Sequence, residues 1–437
     1  MKLLNYQSKP TRIFFLILIL ICAVWSVPAV DRLDITFSGT GFRLTDFTGS
    51  DFNQGKAVLV RPNGKSIVAG AVECSDGITR CFGLARYLST GELDTTLNGK
   101  GFVRTLIYDG SESAAVAVLP DASIFVAGSA LYNGQTVFAV AKYTSTGLLD
   151  PSFAGDGIQI ANFGSTADSR AVAIAVQPAD GKIIVAGEIA YAAPNGYDFA
   201  LIRYNPDGSR DLTFDSDGRV TVDFGSVALP SQDHATSMVL QSDGKILIAG
   251  NVNNDFAVAR FNMDGSPDTT FGSGGRVRFS DGAVQSIALQ ADGKIVGGGY
   301  SLFSAQYSSS MVFRLNTDGT FDSTFNGNGI KQFSPDGNSS RVNAVAVTIN
   351  GGIFTAGSNY FADGDVSRFV VSCFASNGQF DSAFGDGGVQ TNIFNGNIRN
   401  EANGLFFQPD NRLIVTGYSG TDTINTFATA RYLTAGF

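Results

Sequence analysis

The sequence has very little histidine, tryptophan or cysteine, and each scarcity excludes a class of chemistry. The 437-residue chain contains one histidine, His234, which excludes mechanisms and most zinc sites that need a histidine cluster. It contains one tryptophan and four cysteines. Only 16% of the residues are charged, and 39 acidic residues stand against 30 basic ones. Because a net charge of −9 disfavours contact with a phosphate backbone, we expect no nucleic-acid partner.

Catalytic signatures are absent as well. The chain has no Gly-x-Ser-x-Gly elbow, no Walker loop and no spacing typical of metal ligands. The sialidase type of Asp box, which carries a tryptophan, is also missing. These absences favour a non-enzymatic protein. An enzyme stays open as an alternative, because a repeat protein can assemble a site from residues of several repeats.

The N-terminus has the pattern of a secretory signal peptide. Basic residues precede the apolar run 13–25, and Val27 and Ala29 supply the small side chains of a cleavage site. We predict a signal peptide over residues 1–29 and one mature domain over 30–437, which is secreted or held at the cell surface without a transmembrane span. The alternative is an uncleaved anchor, because the apolar stretch reaches 18 residues if the valine after Ala29 is included.

Seven copies of a unit of about 58 residues fill the rest of the chain. One landmark is Asp/Asn-Gly-Lys followed by a small apolar run that ends in glycine, with full copies ending at Gly70, Gly187, Gly250 and Gly299 and weaker copies ending at Gly128, Gly357 and Gly417. Another is Asp-x-x-Phe, with copies beginning at Asp34, Asp94, Asp150, Asp211, Asp268, Asp322 and Asp381. A third is Phe-Ala-Leu-x-Arg-Tyr, as in residues 199–204. A repeat of this length is typical of solenoids and propellers.

Each copy is predicted to form four short strands. In one copy, β-rich runs at 171–176, 183–186, 199–204 and 219–224 are separated by turns rich in Gly, Asp and Asn. The first run is apolar on both faces, so its sheet must be covered on both sides, as in a radial stack of sheets. We therefore predict an all-β fold, a seven-bladed β-propeller of four-stranded antiparallel blades.

The two ends of the sequence complement each other. The Asp34 copy offers only a fourth strand, within residues 41–47, whereas the last copy offers three strands. A cation on the third strand lies eight residues before an Asp in the other copies, and Asp34 is the partner left for Arg431. We predict that the N-terminal strand completes the last blade and closes the ring. Ring closure protects the edges that an open stack would leave unpaired, and we expect a monomer.

The third-strand cations predict a set of structural ion pairs. Arg86, Lys142, Arg203, Arg260 and Arg314 each lie eight residues before an Asp, and Asp34 takes that place for Arg431. If these pairs are exposed, each is worth only about 0–1 kcal/mol.

The loop 205–211 and its copies carry acidic and amide residues at spacings similar to a calcium loop. An EF-hand would need oxygen ligands where Arg203 and Phe214 stand. We favour turns in which Asp side chains accept backbone N–H bonds, and we expect no cofactor and no metal site. Calcium at these loops is the alternative.

The unit 177–214, with QPADGKIIVAG and FALIRYNPDGSRDLTF, resembles the delta-60 repeat of secreted and cell-surface proteins. The resemblance extends from Leu33 to Phe437. It implies a β-propeller in an extracellular setting and brings no established activity. Three copies depart from the pattern, with Ala122 for the turn glycine, Cys373 for the cation and Leu97 for the phenylalanine.

The cysteines of the mature chain divide into a close pair and a single residue. Cys74 and Cys81 flank the loop between the second and third strands of the first full repeat. Since the signal peptide implies an oxidising compartment, we predict a disulfide between them. Cys373 is left over, and we interpret it as a buried small hydrophobe rather than a reactive nucleophile.

A binding site is predicted on one face of the disc. Because strands alternate in direction, the uniform turns share one face, and the variable loops and blade-to-blade links share the other. The variable loops carry aromatic residues, namely Tyr132, Tyr191, Tyr197, Tyr300, Phe303, Tyr307, Tyr360, Phe361 and Tyr418. We predict that they contact a protein or a glycan. The alternative is that these rings only cap the core between blades.

Equivalent positions just before the innermost strands are predicted to ring one mouth of the central channel. They are Gln54, Glu112, Arg170, His234, Ala283, Arg341 and Glu401. We interpret His234 as a polar rim residue, with a catalytic or pH-sensing role as the alternative. The favoured function is a secreted, non-enzymatic binding module. The alternatives are an extracellular lyase or hydrolase that uses Glu112 and Glu401, and a purely structural surface component.

Overall fold

The computed structural model describes residues 32–434 except for short gaps, which are 48, 50, 165–167, 192–195, 226–230, 303–307, 336–338 and 362–365. The predicted signal peptide, residues 1–29, lies outside the described residues. Within the described part of the chain, no helix is long and apolar enough to cross a membrane.

The strands begin with β1 (Phe42–Thr45) and continue as successive groups along the chain. Blade 1 contains β2 (Asn53–Val60), β3 (Ser66–Glu73), β4 (Arg80–Tyr87) and β5 (Phe102–Thr105). Blade 2 contains β6 (Ser111–Val118), β7 (Ile124–Tyr132), β8 (Gln135–Tyr143) and β9 (Ile158–Ala161). Blade 3 contains β10 (Asp168–Val176), β11 (Ile183–Ala190), β12 (Tyr197–Tyr204) and β13 (Arg219–Val222). Blade 4 contains β14 (Asp233–Leu240), β15 (Ile246–Val252), β16 (Asp255–Phe261) and β17 (Arg276–Phe279).

The remaining blades repeat this arrangement. Blade 5 contains β18 (Ala283–Leu289), β19 (Ile295–Leu302), β20 (Ser308–Leu315) and β21 (Ile330–Phe333). Blade 6 contains β22 (Ser339–Val347), β23 (Ile353–Tyr360), β24 (Ser367–Phe374) and β25 (Val389–Asn392). Blade 7 contains β26 (Arg399–Phe407), β27 (Leu413–Gly420), β28 (Asn425–Tyr432) and, from the other end of the chain, β1.

The blades form a closed ring, as predicted. In every blade neighbouring strands pair antiparallel in chain order, and the first strand contacts the first strands of both adjacent blades. The closing pair joins β1 to β28, with Phe42 opposite Ala430 and Thr45 opposite Phe427. The seven-bladed fold and its closure by the N-terminal strand are therefore confirmed.

The hydrophobic core lies between blades rather than within one centre. Seven clusters of buried side chains each join two adjacent blades. The Asp-x-x-Phe aromatic is part of this packing, and Phe214 is fully buried. Gly265 of the next blade has φ of 93°, and a Cβ there would lie 3.0 Å from the Phe214 ring. The turn glycine is thus required both by its backbone conformation and by close packing.

The Asp-Gly-Lys turns and the Asp-x-x-Phe turns share one face of the disc, which we call the hairpin face. On it, Arg260 Nε lies 2.7 Å from Asp268 Oδ2, and Lys245 of the hairpin turn lies 3.1 Å from the same oxygen. Arg260 also donates to the carbonyl of Thr317 in the next blade. Equivalent pairs join Arg86–Asp94, Lys142–Asp150, Arg203–Asp211, Arg314–Asp322 and Arg431–Asp34.

These ion pairs confirm the predicted bracing of the turns, but most are buried rather than exposed. Arg431 and Asp34 are 2% and 3% exposed. Burial acts to raise the pKa of Asp268, but hydrogen bonds from Thr270 and Lys245 and the charge of Arg260 outweigh it and lower the pKa. Asp268 is therefore ionised at neutral pH and held between two cations, as are Asp34, Asp94, Asp211 and Asp322, whereas Asp150 pairs, among the described residues, with Lys142 alone. The role of the hairpin lysine was not anticipated from the sequence.

The departures from the repeat pattern are accommodated locally. Ala122 keeps the hairpin turn with φ of 74°, a conformation that costs an alanine free energy. Cys373 is fully buried and free, as predicted, and burial raises the pKa of its thiol. Cys74 and Cys81 form the predicted disulfide, with their Cα atoms 5.3 Å apart.

Candidate binding site at the channel mouth

The face opposite the hairpin face carries the blade-to-blade links, and we call it the linker face. The predicted rim residues lie on the linker face. They belong to the innermost strands and do not precede them, because each one pairs with a residue of the second strand. His234, for example, is the second residue of β14 and lies opposite Asn251. Likewise Glu112 lies opposite Ser129, and Gln54 lies opposite Ala71.

The predicted loop aromatics are mostly strand residues. Tyr132, Tyr197, Tyr300, Tyr360 and Tyr418 lie within strands, Tyr191 and Phe361 follow strands directly, and Phe303 and Tyr307 are outside the described residues. The second strands are longer than the sequence pattern suggested. The Tyr132 ring lies 4.6 Å from the Tyr108 ring and borders the core between blades 1 and 2, so it caps that core.

Each innermost strand contains one extra residue, and in several blades that residue bonds to the neighbouring blade. The register of every first strand shifts once at the same place, which leaves one bulged residue, namely Lys56, Ala114, Val172, Thr236, Gln285, Asn343 or Asn403. Asn343 donates to the carbonyl of Ala402 at 2.8 Å, and Asn403 donates to that of Gly55 at 2.9 Å. Bulges re-aim side chains, and here they place polar groups between adjacent inner strands.

Glu401 is the centre of a polar cluster on the rim of blades 6 and 7. Tyr418 stands directly opposite it across β26 and β27, and Tyr360 comes from the neighbouring blade. The Tyr360 hydroxyl donates to Glu401 Oε1 at 2.5 Å, and the Tyr418 hydroxyl donates to Oε2. Arg341 lies 4.7 Å from the centroid of the Tyr360 ring. One carboxylate thus orients two half-buried phenol rings at the channel mouth.

The electrostatics keep both phenols neutral. Burial raises the pKa of Tyr360 and that of Tyr418, and the negative charge of Glu401 raises them further. Since a neutral phenol donates its proton, Glu401 acts as the acceptor for both hydroxyls. The cluster is therefore arranged as a fixed set of donors, an acceptor and aromatic faces, rather than as a phenolate base.

Lys56 adds a positive charge beside this cluster. It is the bulged residue of β2, and burial lowers its pKa while the charges of Glu401 and Glu112 act to raise it. No sequence pattern pointed to Lys56, because a bulge displaces the strand period by one residue. Its assignment to the channel depends on the observed register.

A second polar cluster lies across blades 3 and 4. His234 Nδ1 is 2.9 Å from Oε2 of the buried Glu188, and the Tyr197 ring packs against His234 at 4.4 Å. Hydrogen bonding to Glu188 raises the pKa of His234. Glu188 lies opposite Arg170, so this histidine is embedded in a rim network, as the polar-rim interpretation requires.

Between blades 1 and 2, the linker face has a cleft of about 620 Å³. Arg80, Glu112 and Arg170 contribute to its lining, and Arg80 stacks on the Phe52 ring with 3.2 Å between guanidinium and centroid. The hairpin face has a cleft of about 630 Å³ between blades 3 and 4 and one of about 590 Å³ between blades 1 and 2, both formed by hairpin turns. Because the hairpin clefts repeat with the blades, we place the candidate site on the linker face.

The fold and this rim define the class of the protein: a seven-bladed β-propeller with a polar, tyrosine-lined channel mouth. Six segments match the profile of a family described as the domain of unknown function (DUF5122) beta-propeller, at residues 61–97, 119–153, 179–214, 241–271, 290–325 and 408–437. These segments lie in blades 1 to 5 and in blade 7, and each is similar to the β-propeller repeat of that family.

No curated protein sequence matches the chain. Among solved structures, polysaccharide lyase Uly1 is 12% identical with a TM-score of 0.48, over 88% of this chain and 91% of that one. A PL25 ulvan lyase is 11% identical with a TM-score of 0.48, over 88% and 95%. Sqt1 from Chaetomium thermophilum is 11% identical with a TM-score of 0.47, over 88% and 97%. Likenesses at this level carry no argument about function.

Proposed function

We propose that the protein is a secreted, monomeric, non-enzymatic binding module that takes a glycan at the channel mouth of the linker face. The observation that carries the proposal is the cluster of Glu401, Tyr360, Tyr418 and Arg341. It combines aromatic faces with oriented hydrogen-bonding groups, which are the side-chain types that usually line small-ligand sites.

The choice of a glycan over a protein follows from shape and charge. Tyr360 and Tyr418 are half-buried strand residues whose hydroxyls are held by Glu401, so their rings do not project as free anchors towards a flat partner surface. Sugar rings present apolar C–H faces that pack on phenol rings, and hydroxyls that pair with carboxylates and guanidinium groups. The rim carries the anions Glu112 and Glu401 as well as the cations Arg170 and Arg341, and such a mixture of charges suits a neutral, hydroxyl-rich ligand.

The proposed compartment is supported by the Cys74–Cys81 disulfide, because such bonds persist in oxidising surroundings. The signal-peptide pattern and the resemblance to the delta-60 repeat agree with it. Both remain predictions from the sequence.

A glycan array probed with the purified protein, followed by calorimetry with the best oligosaccharide, tests the proposal. Glu401→Gln keeps the size of the side chain but removes its charge, so we expect affinity to fall at least about tenfold, as for loss of one charge-assisted hydrogen bond. Glu92→Gln on the hairpin face is the matched control and should bind like the parent. Failure to bind any glycan, or unchanged affinity in Glu401→Gln, would contradict the proposal. Binding of a protein ligand instead would favour a protein partner.

An enzyme is the second candidate, and Lys56 is the observation that favours it. A lysine whose pKa is lowered by burial, beside Glu401 and Glu112, has the character of a general base. Product release from a panel of polysaccharides and esters tests this function. Turnover that disappears in Lys56→Met but persists in Glu92→Gln would support an enzyme over a binding module.

A further inference from the structure

Three aspartates meet on the linker face where blade 3 adjoins blade 4. Asp198 is the second residue of β12, and Asp223 follows β13. Because Phe199 pairs with Val222, these two carboxylates stand at opposed positions of adjacent strands. Asp233 begins β14, the innermost strand of the next blade. Each of the three contributes a carboxylate oxygen, and these oxygens lie within 4.8 Å of one another.

The equivalent residues of the other blades show which property of the Asp233 side chain the fold requires. Its equivalents are all uncharged, namely Asn53, Ser111, Ser169, Gly282, Ser340 and Asn400. Asn400 Oδ1 accepts the backbone N–H of Phe394, and Asp233 Oδ2 accepts that of Phe224 in the same way. A neutral amide oxygen is therefore sufficient to cap the blade-to-blade link. The negative charge of Asp233 has no part in that capping.

The second oxygen of Asp233 has no visible use in the fold. The side chain is fully buried, at 0% exposed, and no hydrogen bond from any described residue reaches Oδ1. An unpaired buried carboxylate oxygen costs free energy, since its hydration is lost without replacement. This oxygen and the excess charge point to a ligand that the other blades do not bind.

Neighbouring charged and polar groups leave the cluster strongly negative. Arg276 donates to the backbone carbonyl of Asp223, and Arg278 pairs with Asp255 at 2.8 Å. Ser231 and the Gly225 N–H both donate to Asp223 Oδ1, at 3.2 and 2.6 Å. Among the described residues, no salt bridge neutralises any of the three carboxylates. His234, beside Asp233, is hydrogen-bonded to Glu188.

We propose that Asp198, Asp223 and Asp233 bind a calcium ion that joins blade 3 to blade 4. The donors are all hard oxygens, and oxygens on opposite sides of a calcium ion lie about 4.8 Å apart, twice a bond of about 2.4 Å. Asp198 is half-buried and Asp223 is exposed, so water has access to complete the coordination shell. Calcium accepts such irregular shells, whereas magnesium requires a near-octahedral one.

Calorimetry and thermal unfolding of chelator-treated protein test the proposal, with CaCl2 as the probe. We expect saturable binding of one calcium per chain and a rise of at least about 2 °C in Tm at saturation. Asp233→Asn keeps the hydrogen bond to Phe224 and removes the charge. It should lose the calcium response, yet unfold without calcium at the parent temperature or above.

Asp207→Asn is the matched control, because it removes an Asp from the 205–211 loop of the same blade. That variant should keep the full calcium response. No heat and no change in Tm at millimolar CaCl2 would overturn the proposal, as would a calcium response that survives in Asp233→Asn. A stronger response to MgCl2 than to CaCl2 would overturn the assignment of calcium. These outcomes do not depend on glycan binding at Glu401.

Discussion

The two faces of the disc use polar residues in opposite ways. On the hairpin face, nearly the same cation–aspartate arrangement recurs from blade to blade, and its arginines bond to the carbonyls of the next blade. On the linker face, the equivalent rim positions hold different residues in different blades, and their contacts are local, as in Glu401 with its tyrosines and Glu188 with His234. Repetition marks the face that holds the ring together, and divergence marks the face on which we propose the binding site.

Loss of ring closure should have the largest effect on stability, because it removes a strand pairing together with one of the ion pairs of the hairpin face. Deleting residues 30–47 removes β1, the buried Phe37 and Phe47, and Asp34, the partner of Arg431. Two buried aromatics alone contribute roughly 3–6 kcal/mol, against a total of about 5–15 kcal/mol for a domain. We expect gross destabilisation and edge-to-edge aggregation, measured by thermal unfolding and size-exclusion chromatography.

The control for this deletion replaces the exposed linker-face residues 421–424 with a glycine–serine segment of equal length. It should remain monomeric with nearly the parent Tm. A deletion variant that stays monomeric at the parent Tm would show that β1 does not hold the ring closed.

Removing one ion-pair partner should distinguish the two faces directly. Asp268→Asn leaves Arg260 and Lys245 without their shared carboxylate, and we expect a loss of about 3 kcal/mol in the free energy of unfolding. Glu401→Gln on the linker face should change it by less than about 1 kcal/mol, because that cluster is half-buried. Urea denaturation of both variants measures the difference. Equal losses would show that the linker face is as structural as the hairpin face.

Acid should abolish the stabilisation that the ionised Asp268 provides on the hairpin face. The pKa of Asp268 is lowered from 3.8, so its contribution is fully present above pH 3.8 and is lost as the pH falls through the lowered pKa. The stability gap between the parent and Asp268→Asn should stay constant from neutral pH to about pH 5, and shrink below pH 3.8. Denaturation at a series of pH values measures it. A gap that widens on acidification would refute the ionised pair.

The disulfide is a covalent constraint on the linker face, and its effect should be smaller. Cys74 and Cys81 are 7 positions apart, and closing so short a loop contributes about 2 kcal/mol. We expect Cys74→Ser/Cys81→Ser to fold with a loss of about this size. Non-reducing peptide mapping of the parent should find Cys373 as the free thiol in the mature chain. Alkylation of all three cysteines before reduction would contradict the pairing.

The smallest expected effect repairs an irregular turn on the hairpin face. Ala122→Gly relieves an alanine held at φ of 74° and should stabilise the protein by about 1 kcal/mol. Ala179→Gly, next to a regular Asp-Gly-Lys turn, is the control and should be neutral or destabilising. Thermal unfolding compares the two, and an unchanged Tm for Ala122→Gly would indicate that the turn is not strained.

The predictability of the site differs from that of the fold. The sequence predicted the strands, the ring and the Arg–Asp pairs, because each feature recurs and one copy confirms another. Glu401, Tyr360 and Tyr418 were all noted as candidates, yet nothing in their spacing showed that two phenols would converge on one carboxylate. Lys56 was missed because a bulge interrupts the alternation on which strand assignments depend.

By itself, the sequence determined the number of blades, the order of their strands and the chain end that closes the ring. These properties follow from local turn chemistry and from repetition, which a linear sequence displays directly. Tertiary structure alone decided which residues meet across blades, such as Tyr360 with Glu401, or Asp233 with Asp198 and Asp223. Such meetings depend on the register of each pair of strands and on the packing of adjacent blades, where a shift of one residue turns a side chain to the other face of its sheet.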